Sequence, residues 1–201
     1  DLLQRDRDQF RQHFAGADAV LHCGFVRKSG DEAVYWGEVD NINMAYNVYK
    51  VCVEEGVNRA VVLSSNHAAD YYEQLIWSDR MEMVTSDMYP LSDNYYGWAK
   101  SAYELLGFVF ATGGEGDPSL EVVQLRIGAP RESDLDNFND MDSKTMHRAL
   151  GAYLSIRDQV QLVVKSLETK DVENENGVPF QVFYLWNGGL SAWGALLVGA
   201  A

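Results

Sequence analysis

Short apolar runs rich in β-branched residues alternate along this sequence with segments of helical length. The runs lie at Ala19–Cys23, Arg59–Ser64, Leu120–Leu125 and Phe180–Leu185. Parallel strands need a crossover connection, most often a helix, so this alternation is typical of a parallel sheet. The pattern therefore predicts an α/β fold in which helices pack against the sheet.

Helix signals fall between these runs. Helices are predicted at Arg7–Ala15, at Tyr35–Glu55 with Gly56 as the C-terminal cap, at Tyr95–Phe110, and from a capping box formed by Ser155 and Asp158 through Leu167. Two apolar stripes are expected to face the core: Trp98, Ala102, Leu105, Val109 and Phe110 on the third helix, and Ile156, Val160, Val163, Val164 and Leu167 on the fourth.

Composition limits the function classes that remain. The chain has 201 residues and is 47% apolar, which predicts a folded domain with a substantial core. A net charge of −14 disfavours nucleic acid and anionic membrane surfaces as partners, because both are negatively charged. Adaptation to high salt is one reading of this acidity, and an ordinary acidic cytoplasmic protein is the favoured one. Cys23 and Cys52 imply no disulfide framework, and the histidines lack metal-ligand spacing, so no metal is expected.

Tyr96 and Lys100 are the first candidates for chemistry. Four residues apart on a helix, they share one face, where an ammonium is expected to lower the pKa of the phenol and make it a general base. Tyr46 and Lys50 have the same spacing. Context favours Tyr96, because its helix follows a strand that ends in Ser64 and Ser65, and strand C-termini are where α/β sheets place ligands.

Five motifs in order carry a family resemblance: V-L-H-C-G (20–24), N-I-x-x-x-x-N-V (41–48), V-V-L-S-S-N-H (61–67), Y-Y-G-W-A-K (95–100) and L-R-I-G (125–128). The sequence resembles the extended short-chain dehydrogenase/reductases, the NAD-dependent epimerase/dehydratase family. That resemblance implies a Rossmann-type parallel sheet flanked by helices with a small partial substrate lobe. It also implies NAD or NADP as cofactor and oxidation of a sugar hydroxyl.

The resemblance also implies roles for individual residues. Tyr96 is the general base, Lys100 holds the nicotinamide ribose, Ser65 orients the reacting hydroxyl, and Asn41 helps to anchor a water relay. The residues expected at the cofactor are Cys23, Gly24, Phe25, Tyr96, Lys100 and Ile127. Arg126 is expected to tie down the sheet and His22 to be an ordinary strand residue.

The run Ser64–His67 is similar to that of the uronate dehydrogenases. The resemblance implies that Ser65, Asn66 and His67 meet the sugar and that Arg148 holds a substrate carboxylate during oxidation at C1 to a lactone. Two departures are expected to change the substrate: Ala129 replaces a serine, and Arg27 stands where a serine is usual, which favours a more anionic substrate such as a sugar phosphate.

No strand and glycine-rich turn precede the first helix, so the first βαβ portion of the fold is expected to be missing. The chain is interpreted as a single incomplete domain, 1–201, with a Rossmann core at 1–128 and substrate-lobe segments plus the last core helix and strand at 129–201. Weak cofactor binding by these residues alone and an exposed edge at Ala19–Cys23 are expected.

Two alternatives remain open: a sugar-nucleotide epimerase or dehydratase of the same family, and a non-catalytic chain that acts in assembly. A homodimer is expected through the helices at Tyr35–Glu55 and Tyr95–Phe110. Its candidate contacts are Tyr49, Trp98 and Tyr103.

Overall fold

The structure is a computed structural model that describes residues 1–130 and 142–185. Its α-helices are α1 (Asp8–Arg11), α2 (Asp31–Glu55), α3 (Glu73–Trp77), α4 (Tyr95–Ala111), α5 (Ser143–Gly151) and α6 (Ile156–Glu168). Its strands are β1 (Ala19–His22), β2 (Arg59–Ser65), β3 (Glu121–Ile127), β4 (Ala129–Pro130), β5 (Tyr153–Leu154) and β6 (Phe180–Leu185). Short 3-10 helices lie at Asn66–Tyr72 and Gly114–Gly116.

Four strands form the main sheet in the order β1-β2-β3-β6, and every described pairing in it is parallel. Arg59 pairs with Ala19 on one side and with Glu121 on the other, and Val122 pairs with Phe180. The predicted parallel α/β sheet is therefore confirmed. β4 and β5 make a separate two-stranded parallel sheet, with α5 between them in sequence. The division of the chain at residue 128 stays a prediction.

Helices cover both faces of the main sheet. Neighbouring residues of a strand point in opposite directions, so each strand contributes side chains to both faces. Val62 and Val122 pack with Val48 and Phe110, which come from α2 and α4. Val61 and Val123 face the other way and pack with Val172 and the inner side of α6. This three-layer arrangement explains why consecutive residues, Ala60–Leu63 in β2 and Val122–Val123 in β3, are apolar rather than alternate ones.

Both predicted helix caps are present. Gly56 follows α2 in the left-handed region, at φ 70° and ψ 28°, and its N–H donates to the carbonyls of Cys52 and Val53. Ser155 precedes α6, and its hydroxyl accepts a hydrogen bond of 3.0 Å from the N–H of Asp158. These caps fix where two of the three longest helices end or begin.

Most of the expected core face of α4 is wrong. Phe110 is buried as predicted, but Trp98, Leu105 and Val109 are 38%, 46% and 41% exposed. The buried face instead carries small and polar residues, among them Lys100, Ser101, Glu104 and Gly107. Gly107 lies so close to the sheet that an added Cβ would come within 2.6 Å of Gln124 Nε2. The polar groups on this face have partners inside the protein. A prediction from hydrophobicity alone therefore chooses the opposite face of the helix as the buried one.

Other expectations need smaller corrections. Val163 and Leu167 of α6 pack against the sheet, but Ile156, Val160 and Val164 are exposed. The first helix is limited to Asp8–Arg11. Tyr49 and Tyr103 are 0% and 3% exposed, so they belong to the core and are not available as subunit contacts. Across the ranges 1–130 and 142–185, no helix has the length and apolar character needed to cross a membrane.

Candidate active site

The candidate residues gather at the carboxyl edge of the sheet. Ser65 ends β2 and pairs with Ile127 at the end of β3, while Cys23 follows β1. The helix that carries Tyr96 returns to this edge after the 3-10 helix and α3. Crevices outside the carboxyl ends of parallel strands are where open α/β sheets bind ligands.

Gly97 lets the first turn of α4 pack against the 3-10 helix that begins at Asn66. A Cβ at this position would lie 2.0 Å from the carbonyl oxygen of His67 and 2.2 Å from Ser92 Oγ, so the two segments meet backbone to backbone. Ser101 Oγ also donates to the carbonyl of Ala68 at 3.0 Å. The close packing sets Tyr96 beside His67.

Ser65 and His67 both contact Tyr96. Ser65 is 5% exposed, and its side chain lies close enough to Tyr96 to lower the pKa of the phenol. Its hydroxyl also accepts a 3.2 Å hydrogen bond from the N–H of His67. The rings of His67 and Tyr96 meet edge to face with their centroids 5.3 Å apart. The structure thus brings together the serine and tyrosine that the sequence predicted as partners.

The pKa of Tyr96 is raised, not lowered as the sequence predicted. Burial is the main cause, and the hydrogen bond from Ser65 works against it. The charges of Glu38 and Asp70 raise this pKa further, while that of Arg27 lowers it. Lys100 does not make the expected contribution to this pKa.

Lys100 is buried and held by a main-chain carbonyl. Its Nζ donates to the oxygen of Leu63 at 3.1 Å, an acceptor that it shares with the hydroxyl of Tyr103. The ammonium lies 4.9 Å from the Tyr103 ring centroid and 5.5 Å from that of Tyr96. Burial lowers its pKa to about 8, although the charge of Glu38 opposes the shift.

Asn41 clamps the loop that follows β1. Its Oδ1 accepts from the N–H of Val26 at 2.7 Å, and its Nδ2 donates to the carbonyl of Val26 at 2.9 Å and to Glu38 Oε2 at 3.0 Å. Both amide hydrogens are therefore used within the protein. The structure assigns Asn41 a visible role in positioning this loop, and the predicted water relay stays a prediction.

The clamped loop reaches the tyrosine and lysine. Phe25 meets the Tyr96 ring edge to face at 5.5 Å, and its own ring centroid is 5.4 Å from Lys100 Nζ. At Gly24 an added Cβ would come within 2.6 Å of Met44 Sδ, so the loop packs closely against α2 here. Cys23 is an exposed thiol. His22 is buried, and burial lowers its pKa to about 4, in keeping with a neutral strand residue.

A polar cluster adjoins Tyr96 on the side of His67. Asp70 lies at its centre: its Oδ2 is 2.7 Å from His67 Nδ1 and accepts from Asn94 Nδ2 at 2.7 Å. Asn94 also caps α4 by accepting from the N–H of Gly97 at 2.9 Å. Arg148 reaches the cluster from α5, with its Nη2 3.9 Å from Asp70 Oδ1. Asn66 starts the 3-10 helix, where its Oδ1 accepts from Ser65 Oγ at 3.3 Å.

Sequence reasoning missed three members of the site. Asp70 follows His67 by three residues, a spacing that signals a pair on one helical turn. Asn94 stands just before the predicted start of α4 and carries the signal of an N-cap. Glu38 gave no such signal, because its burial beside Lys100 depends on how α2 packs.

The residues at this edge suit the nicotinamide end of a dinucleotide. Lys100 supplies a buried ammonium next to Tyr96, and Phe25 contacts both residues from the loop after β1. A strand, glycine-rich turn and helix of the pyrophosphate-binding kind is absent from the sequence. Within the described ranges, no three His, Cys, Asp or Glu side chains are grouped to hold a metal ion.

A parallel α/β sheet with Ser, Tyr and Lys at its carboxyl edge is the architecture of the short-chain dehydrogenase/reductase class. A sequence model of the NAD dependent epimerase/dehydratase family matches residues 1–126, and the chain belongs to that family. It is 32% identical over 133 residues to L-arabinose 1-dehydrogenase (NAD(P)(+)) of Haloferax volcanii, across 62% of this chain and 49% of the relative. The chain spans about half the length of the curated relatives it matches.

Solved structures agree with this fold. Uronate dehydrogenase from Agrobacterium tumefaciens is 25% identical, with a TM-score of 0.62 over 90% of this chain and 58% of that one. Glucuronic acid dehydrogenase from Chromohalobacter salexigens is 21% identical, with a TM-score of 0.70 over 96% of this chain and 62% of that one, and shows the fold alone.

Proposed function

We propose that this protein takes part in NAD(P)-dependent oxidation of a hydroxyl group on a sugar or sugar acid. The observation that carries the proposal is that Ser65 and Tyr96 lie side by side next to buried Lys100, at the carboxyl edge of a parallel sheet. Family membership supports it. So does the similarity to an arabinose dehydrogenase and a uronate dehydrogenase.

Tyr96 takes the proton of the substrate hydroxyl. The hydrogen bond from Ser65 and the charge of Arg27 both lower its pKa and so favour the phenolate. Ser65 also lies where it can bind the same hydroxyl, since its oxygen is fixed by the N–H of His67. When bound, the nicotinamide accepts the hydride from the carbon that carries this hydroxyl.

Two groups of residues line the reacting centre in this proposal. The nicotinamide end of the cofactor is held by Cys23, Gly24, Phe25, Tyr96, Lys100 and Ile127. Asn41 holds the loop after β1 through the main chain of Val26. The substrate lies on the other side, against Ser65, Asn66 and His67, with Arg148 at the margin. The cofactor in this proposal is NAD or NADP.

The direct test follows a deuterium label. The intact protein is given NAD⁺ or NADP⁺ with sugars and sugar acids deuterated at C1, and the reduced nicotinamide is analysed by mass spectrometry. The proposal expects net formation of deuterated reduced cofactor. Isomerised sugar without net reduction would instead indicate an epimerase, and no reaction with any substrate would favour a role in assembly.

We also propose a homodimer formed through α2 and α4. Their outer surface carries exposed aromatic and aliphatic side chains, and Tyr35 stacks on Trp98 at 5.7 Å. Apolar patches of this kind mark protein interfaces. Light scattering should show a dimer that Leu105→Asp converts to a monomer, while Val160→Asp, on the exposed side of α6, leaves it intact. A monomeric unmodified protein would refute the proposal.

A cytoplasmic location is part of the same proposal. Cys23 and Cys52 are both free thiols, and the buried thiol of Cys52 has its pKa raised to about 12 by burial. A thiol of this kind is unreactive and needs no disulfide partner.

A further inference from the structure

The cavity next to the reacting centre is small and charged. It has a volume of about 290 Å³ and is lined by Asp70, Glu73, Gln74, Trp77, Asp93, Asn94, Lys144 and Arg148. Asp70 joins it to the site through His67, whose ring contacts Tyr96. This volume is at the lower end for ligand pockets and suits a single sugar unit.

Arg148 in this cavity already has an anionic partner. Its Nε lies 3.0 Å from Glu73 Oε2, and its Nη2 lies 3.9 Å from Asp70 Oδ1. The Glu73 and Asp70 side chains are only 18% and 11% exposed, so solvent screens them incompletely. Counting the lining residues gives three carboxylates, Asp70, Glu73 and Asp93, against two cations, Lys144 and Arg148.

We propose that Glu73, by pairing with Arg148, selects an uncharged sugar over the corresponding sugar acid. The proposal rests on the proposed function. A substrate carboxylate that approached Arg148 would meet Glu73 and Asp70 at close range and would be repelled by both. Hydroxyl groups face no such penalty, because carboxylates accept hydrogen bonds from them.

Arg27 provides the competing arrangement. It is exposed in the loop after β1, and its charge acts on Tyr96. A sugar acid bound through Arg27 would avoid Glu73 altogether. This arrangement predicts that the protein prefers the sugar acid over the neutral sugar. It also predicts that Arg27→Gln abolishes this preference.

The test compares substrates that differ in one group. D-Galactose and D-galacturonate differ only in the hydroxymethyl or carboxylate at C6, and D-glucose and D-glucuronate form a second such pair. For the intact protein we expect kcat/KM to favour the neutral sugar by about tenfold or more, as repulsion between charges at contact distance implies. Titration calorimetry should show the same preference in binding, without turnover.

Glu73→Gln is the matched variant. Glutamine keeps the oxygen that accepts from Trp77 Nε1 at 3.0 Å but removes the charge. We expect it to raise kcat/KM for the sugar acid about tenfold relative to kcat/KM for the neutral sugar. Glu82→Gln, which removes an exposed carboxylate after α3, should change neither value.

The outcomes distinguish the inference about Glu73 from the proposed function. Preference for the sugar acid in the unmodified protein would overturn the inference and leave the proposed function standing, and so would an unchanged ratio in a folded Glu73→Gln protein. Absence of cofactor reduction with every sugar and sugar acid would overturn the proposed function itself. The ratio in the unmodified protein decides the matter even where the variant fails to fold.

Discussion

The buried ion pair of Arg126 and Glu104 joins the interior strand β3 to α4, the helix that carries Tyr96 and Lys100. Arg126 Nε lies 3.0 Å from Glu104 Oε1 and Nη2 lies 2.8 Å from Oε2. Nη1 donates to the Tyr184 hydroxyl at 2.8 Å, and Glu104 accepts from Ser64 as well. The two side chains are 2% and 3% exposed. We expect Arg126→Met to destabilise the protein strongly, because Glu104 would remain buried without its counter-ion.

The magnitude follows from this burial. Removing one partner of a buried pair costs about 3–5 kcal/mol, whereas replacing both by apolar residues of similar volume is often close to neutral. The double change Arg126→Met with Glu104→Leu leaves the Ser64 hydroxyl without its acceptor, at a cost of about 1 kcal/mol. The double variant should therefore be more stable than Arg126→Met alone.

Urea unfolding followed by circular dichroism measures these differences as a double-mutant cycle. Arg157→Met is the control, because the Arg157 side chain in its ion pair with Asp158 is 84% exposed and the change should cost less than about 1 kcal/mol. A loss below about 1 kcal/mol for Arg126→Met, or two single losses that simply add in the double variant, would refute the reasoning.

Two further predictions concern the site. Glu38→Gln removes a charge that raises the pKa of Tyr96, so the limb of the kcat/KM profile that reports Tyr96 ionisation should move to lower pH; a shift to higher pH would contradict the assignment. Gly97→Ala places a methyl group 2.0 Å from the His67 carbonyl, so a loss of unfolding free energy above about 2 kcal/mol is expected, against less than about 1 kcal/mol for Gly37→Ala, where an added Cβ comes no closer than 3.2 Å to the flexible side chain of Lys28. Equal losses in the two glycine variants would show that the backbone approach at Gly97 is unimportant.

The order of strands and helices could be predicted because it depends on local patterns. β2 and β3 contain short apolar runs, Gly56 marks the end of α2, and Ser155 marks the start of α6. The buried face of α4 could not be predicted in this way. Glu104 is polar in sequence, and only its pairing with Arg126, distant along the chain, makes its burial favourable.

The same distinction applies to the site. Ser65, Tyr96 and Lys100 follow from motif and order, since one strand end and one helix start bring them together. The pKa of Tyr96 does not follow, because it depends on burial and on charges from Glu38 and Asp70. The ion pair of Arg148 with Glu73 likewise does not follow from a motif, because Glu73 lies on another helix, distant along the chain.

The central claim is that Tyr96 is the general base, and a pair of matched variants tests it most directly. Tyr96→Phe and Tyr46→Phe each remove one hydroxyl from a tyrosine that lies four residues before a lysine. Tyr46 is the control, because its lysine, Lys50, is bound to Asp117 at 2.6 Å and not to a site residue. In the intact protein, the account predicts that Tyr96→Phe lowers kcat by about 10²-fold or more, as loss of a general base implies, and that Tyr46→Phe leaves kcat unchanged. A folded Tyr96→Phe protein that keeps full kcat would contradict it.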